Sequence, residues 1–161
     1  MNIKEENLSM DRIPQIQIEW KELDVAMGEH YKSHNYNISY EYYKEHISPL
    51  RERMDYLETL ERVIRRFNVK VGDGVTIYLW SDSHAATVIK RTKYSITVQQ
   101  DKAIRTDNNG VSESQEYRYE RNPRGEVTTY RWSNKYGCFC NSGDQSIKIG
   151  NGRHEYYDYS F

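Results

Sequence analysis

From Tyr36 to Phe67 the apolar and aromatic residues return every three or four positions, through Tyr40, Tyr43, Ile47, Leu50, Met54, Leu57, Leu60 and Ile64. That spacing lines up one face of an α-helix and predicts helix over 38–67. The opposite face carries Arg51, Glu52, Asp55, Glu58, Glu61, Arg62 and Arg65 and reads as solvated. Pro49 interrupts the run. Either Ser48 caps a second helix with Pro49 in its first turn, or one long helix kinks there. A helix with a single such face must cover it, against a sheet or against another copy of itself.

After Asn68 the period changes to two. Val75, Ile77 and Leu79 alternate with Thr76, Tyr78 and Trp80, and Ala86 and Val88 with Thr87 and Ile89. Tyr94–Gln100, Gln115–Arg121, Val127–Trp132, Cys138–Cys140 and Gln145–Ile149 follow as short strands, with an aromatic tail from Arg153. Turn signals separate them, notably Asn122-Pro-Arg-Gly and Gly150-Asn-Gly. Short strands at this interval predict an antiparallel sheet or a small open barrel. With helix before it, the fold class is α+β. The expected organisation is a helical segment over 1–67, packing on the sheet or on a partner subunit, and a β region over 68–161, in one compact domain overall.

The start is less decided. Residues 1–13 are polar and expected to fray. Ile16, Ile18 and Trp20 alternate with Gln17 and Glu19 as in a strand, yet the segment fits equally the first turns of a helix to Met27. Gly28–Asn37 reads as a turn-rich connector.

Composition limits the function classes. The 15 tyrosines argue against disorder, and the net charge of −1 argues against binding DNA through bulk charge. Cys138 and Cys140 are too close for an ordinary disulfide and too few to close a zinc site, so reduced, packed thiols are expected. His30 and His34 stand four apart without a third ligand nearby in sequence. No apolar run reaches membrane-spanning length, and the acidic start is unlike a signal peptide. The chain shows no hydrolase elbow, P-loop, zincin motif or dinucleotide fingerprint. No cofactor, no metal and no catalysis are therefore expected, and the cytoplasm is the expected location.

Binding residues are more evident. Asp101–Gln115 is a polar stretch between two strands, with charges of both signs and an Asn-Asn-Gly turn. Arg105, Arg121, Arg124, Arg131 and Arg153 lie at strand ends or turns, where guanidinium forks suit phosphate. Tyr130, Trp132, Tyr136, Tyr156 and Tyr157 offer flat faces for a base. Asn108, Asn109, Asn134 and Asn141 are amides able to read ribose or a base edge. Asp82 and His84 share a turn, as a weaker acid–base pair.

Four segments in this order resemble a known family: V-G-D-G-V-T-I-Y-L-W-S-D-S-H-A-A-T-V-I, I-T-V-Q-Q-D-K-A-I-R-T-D-N-N-G, Q-E-Y-R-Y-E-R-N-P-R-G and the terminal Y-Y-D-Y-S-F. They are similar to small bacteriophage proteins, the type 1 Thoeris anti-defence sponges. The resemblance covers 71–161. It implies a protein that sequesters cyclic ADP-ribose isomers, such as glycocyclic ADP-ribose, without cleaving them, inside the host bacterial cytoplasm. It further implies a second site for CBASS cyclic oligonucleotides in some members, and assembly as homodimers or hexamers. The matching positions are Arg105, Asp107, Asn109, Tyr130 and Arg153. Arg105 and Arg153 would hold the pyrophosphate, and Tyr130 or Trp132 would stack the adenine. Ser83 stands where relatives are expected to be basic, which removes one phosphate contact. The competing expectation is an SH3-like protein-binding module, or inhibitor, that uses the tyrosine-rich helix face.

Overall fold

The computed structural model describes residues 8–141 and 144–160. The chain divides into two compact units, a helical one ending at Ile64 and a β one beginning at Arg65.

In the helical unit a single 3-10 turn, Met10–Arg12, leads into α1 (Ile13–Ser33). The strand alternative for Ile16–Trp20 is thus corrected to helix. Ile13 and Ile16 are both buried, the three-residue step of a helix, while Ile18 is exposed. Of the start expected to fray, 1–7 lie outside the described residues, and Leu8 is buried. The predicted connector is helical as far as Ser33, because Gly28 is tolerated inside a helix that good formers flank. The turn itself falls at Asn35 and Tyr36, which take the left-handed φ values of 48° and 60°.

Ser39 caps the next helical stretch, accepting from the Tyr42 N–H at 3.2 Å. That stretch is unbroken in three parts: α2 (Tyr40–Tyr42), a π-helical turn (Tyr43–Ile47) and α3 (Ser48–Phe67). Pro49 neither starts a separate helix nor stops this one. It has no N–H to donate, and the turn before it is wound wider, so that the Ser48 N–H reaches the Tyr43 carbonyl. The predicted stripe is the unit's core: Ile47, Met54, Leu57, Leu60 and Ile64 are buried. Its first members depart, with Tyr36 and Tyr40 exposed at 72% and 73%. Arg53 Nε donates to Glu19 at 2.7 Å and Gln17 to Glu61 at 3.2 Å, tying α3 to α1.

The β unit contains β1 (Gly74–Tyr78), β2 (Ser83–Thr92), β3 (Ser95–Gln100), β4 (Lys102–Arg105), β5 (Tyr117–Glu120), β6 (Val127–Ser133), β7 (Cys138–Asn141) and β8 (Asp144–Asn151). All pairings among them are antiparallel. Strands β1-β2-β3-β6-β7-β8 close a six-stranded barrel, and β4 and β5 form a separate two-stranded sheet. The fold is α+β: helices, then a barrel. A bulge between Val88 and Lys90 bends β2, as closing a small barrel requires.

Val75, Ala86, Val88, Ile96, Val98, Tyr130, Phe139 and Ile149 fill the barrel, with Val69 packed among them. A fully buried aliphatic side chain stabilises by about 1.5–3 kcal/mol, so this alternating set accounts for the closure. The first half of β2 is buried on both faces, since Ala85 and Thr87 of its outer face are covered too. Cys138 and Cys140 are buried and not joined in a disulfide. Burial holds the Cys138 thiol above its usual range.

Candidate functional site

One end of the barrel is not filled by its own core. Ile77 near the end of β1 and Leu79 just beyond it, His84 at the start of β2, Gln100 at the end of β3, Glu126 just before β6, and Thr128 and Tyr130 within it line a cavity of about 280 Å³, with Asn141 and Ile147. The register explains why they meet. Ile77 pairs with His84 across β1–β2, and Val98 with Thr128 across β3–β6. Two residues beyond Val98 the inward position falls to Gln100, whose N–H donates to the Glu126 carbonyl at 2.9 Å. Period-two alternation therefore changes from apolar to polar as the strands leave the core.

Electrostatically the mouth is anchored by His84 and Glu155. His84 Nδ1 lies 3.0 Å from Glu155 Oε1, and Glu155 Oε2 accepts the Ala85 N–H at 2.7 Å. Glu155 is 3% exposed. It replaces the strand partner that β2 loses once β3 has ended. The bond to Glu155 raises the His84 pKa above the usual 6.5, against the opposing effect of burial, with Asp82 and Glu126 adding smaller attractions. Tyr157 packs on His84 with ring centroids 5.5 Å apart. Burial, then its bond to Glu155, push the Tyr157 phenol up to about 12.

The aromatic tail is fastened across this end. Ser83 and Tyr156 exchange backbone hydrogen bonds of 3.0 Å, the Asp158 N–H donates to Asp82 at 2.9 Å, and Gln115 bonds the Tyr157 carbonyl at 2.6 Å.

The residues singled out from the sequence fall into separate groups. Tyr130 and His84 line the cavity together, and Tyr130 is only 4% exposed. Asp82 holds the tail, as above. Arg105, at the end of β4, forms a cluster with Asp107 and Asn109 of the following loop. Arg105 Nε donates to both Asp107 oxygens at 3.0 and 3.1 Å, and Asp107 also accepts the Asn109 and Glu116 N–H groups at 2.8 and 2.7 Å. These bonds, the guanidinium's first, hold the Asp107 carboxyl far below the usual range. Arg105 Nη1 reaches Tyr159 Oη at 3.0 Å, while its buried Nη2 has no partner among the described residues. Asn109 donates to the Ser114 carbonyl at 3.0 Å.

Arg153 lies on the outer wall of the barrel. Its Nε donates to Asp101 Oδ2 at 2.7 Å and its Nη2 to Thr87 Oγ1 at 2.8 Å. The side chain passes close over Gly74, where an added Cβ would sit 2.7 Å from Arg153 Cγ. Trp132 meets Phe67 and Phe139 edge to face at 4.9 and 5.1 Å, and its Nε1 donates to Asn134 at 2.8 Å. Asp101–Gln115 is not one loop: β4 occupies Lys102–Arg105, and Ala103 pairs with Tyr119 of β5.

Gln100, Glu126, Thr128 and Glu155 were not singled out from the sequence. The available signal was the strand period itself, carried two residues beyond the apolar positions of β3 and β6. No protein family, curated protein or solved structure matches this chain. The site therefore stands on its own geometry.

Proposed function

We propose that this chain is a binding protein that takes a nucleotide-derived signal into the mouth of the barrel and holds it without turnover. The observation that carries the reading is the cavity itself, open at one end of the barrel and lined by amide, hydroxyl and carboxylate groups above Tyr130. Binding pockets combine apolar walls with a few convergent polar groups, as this one does with Ile77, Leu79, Gln100 and Thr128. Its volume, near 280 Å³, suits a base with its ribose better than a whole dinucleotide. The remainder of a larger ligand would lie at the rim.

The ligand class follows the resemblance of 71–161: cyclic ADP-ribose isomers, captured as a phage anti-defence measure so that the host effector is never activated. Binding of CBASS cyclic oligonucleotides and assembly into dimers or hexamers belong to the same proposal. The test is to incubate the protein with cyclic ADP-ribose isomers, isolate the complex, heat it and analyse what is released. Intact ligand supports capture. Degraded ligand makes the protein an enzyme, and no retention of any isomer overturns the reading.

A second reading, an interaction module using the helical unit, has the exposure of Tyr36 and Tyr40 in its favour. Ligand capture that persists in a Tyr36→Ala/Tyr40→Ala variant separates the two.

A further inference from the structure

We propose that the barrel mouth selects a positively charged aromatic heterocycle, such as an adenine alkylated at N1, with Glu126 as its counter-charge. This rests on the reading that the mouth is the ligand site, and adds the charge class that the site accepts.

Among the described residues lining the cavity, two carry ionisable charge of opposite sign, His84 and Glu126. His84 is already committed. Its Nδ1 is 3.0 Å from Glu155, whose other oxygen is occupied by the Ala85 N–H. Among the described residues Glu126 has no ion-pair partner in contact, only the longer-range attraction of His84; its carboxylate accepts the Thr128 hydroxyl at 3.2 Å. Asp82 is a further negative charge close enough to act on His84. One imidazole thus faces three carboxylates, Glu155, Glu126 and Asp82. A phosphate placed in the cavity would meet Glu126 at short range, where like charges repel.

A cationic ring gains instead. Its charge faces Glu126, and its flat apolar body lies against Ile77, Leu79 and the buried Tyr130. Organic cations are bound by this pairing of an aromatic or apolar wall with a carboxylate. Alkylation of adenine at N1 creates an amidinium at neutral pH, with N–H donors on the exocyclic side. Gln100 and Thr128 can bond the remaining edge. Alkylation at N6 adds the same atoms without the charge, so the two isomers isolate the electrostatic contribution.

The experiment measures the affinity of 1-methyladenosine and N6-methyladenosine at neutral pH for the full chain and for Glu126→Gln. Glu126 is exposed at the head of β6, so the substitution is compatible with folding, which the unfolding midpoint checks. We expect 1-methyladenosine to bind about fivefold tighter, near the upper range of a solvent-accessible ion pair. In Glu126→Gln the ratio falls to about twofold or less. Equal affinities, or a preference that Glu126→Gln leaves intact, overturn the inference. Retention of cyclic ADP-ribose isomers without any charge preference would leave the capture reading standing and this one fallen. A charge preference with no cyclic isomer retained does the reverse. Failure of every probe overturns both.

Discussion

The inner and outer faces of β2 present two polar regions that differ in one respect. On the outer face the buried Thr87 and Asp101 and the partly exposed Arg153 form a set whose bonds close on one another, joined by Arg121 at 3.4 Å from Asp101. On the inner face His84 opens into a cavity with Gln100, Glu126 and Thr128. The first region expends its hydrogen-bonding capacity on the fold. The second keeps capacity for something else. An arginine is therefore a weak indicator of a phosphate site until its carboxylate partners are known.

The largest effect that could break this comparison is Asp101→Ala. Asp101 has a fully buried side chain, and its removal strands Arg153 and Thr87. We expect a loss of about 3 kcal/mol in unfolding free energy, since breaking one partner of a buried pair leaves the other uncompensated. Denaturant titration measures it, and an unchanged midpoint would mean that the outer network is not structural. Arg153→Ala should follow in the same direction with a smaller loss, because the arginine is partly exposed.

A pH series sharpens the inner side. The folded His84 pKa is raised, so its contribution to stability is complete below about 6.5, the unfolded value. It is lost as pH rises through the folded value. In Glu155→Gln this part of the pH dependence should flatten, because the bond to Glu155 is the principal cause of the shift. Unfolding midpoints across pH 5–9 would show it; an identical slope in the variant would discard the pair.

Smaller still are the expected stability effects at the mouth. Gln100→Ala should change unfolding free energy by about 1 kcal/mol or less, yet reduce ligand retention about fivefold. A large loss of stability with retention unchanged would place Gln100 with the outer network. Smallest is Trp80→Ala, at a side chain 92% exposed in the turn after Leu79. We expect its unfolding free energy to stay within about 0.5 kcal/mol of the parent.

The succession of helix then short strands was legible because it rests on local periodicity, which each segment carries by itself. Met54, Leu57, Leu60 and Ile64 are buried as their spacing requires, and so are Val75, Val88, Ile96 and Val98. The strand alternative at Ile16–Trp20 failed because five residues of alternation also fit a helix, and burial of Ile13 with Ile16 decided it. β4 was missed since Ala103 and Ile104 gain their strand partners only from Tyr119 and Arg118.

The candidate site was legible to a lesser degree. Tyr130 and His84 were named from the sequence and do line the cavity, whereas Arg105 and Arg153 face Asp107 and Asp101. What the sequence determined by itself was the elements, their order and their apolar faces, because these depend on neighbours within a few residues. Tertiary structure alone decided that the sheet closes through Ile77 against Ile149. It also decided that Glu155, 71 residues from His84, reaches it, and that Glu126, among the described residues, has the Thr128 hydroxyl and not a cation in contact. Such pairings join distant segments, and no local period encodes which charge will find a partner.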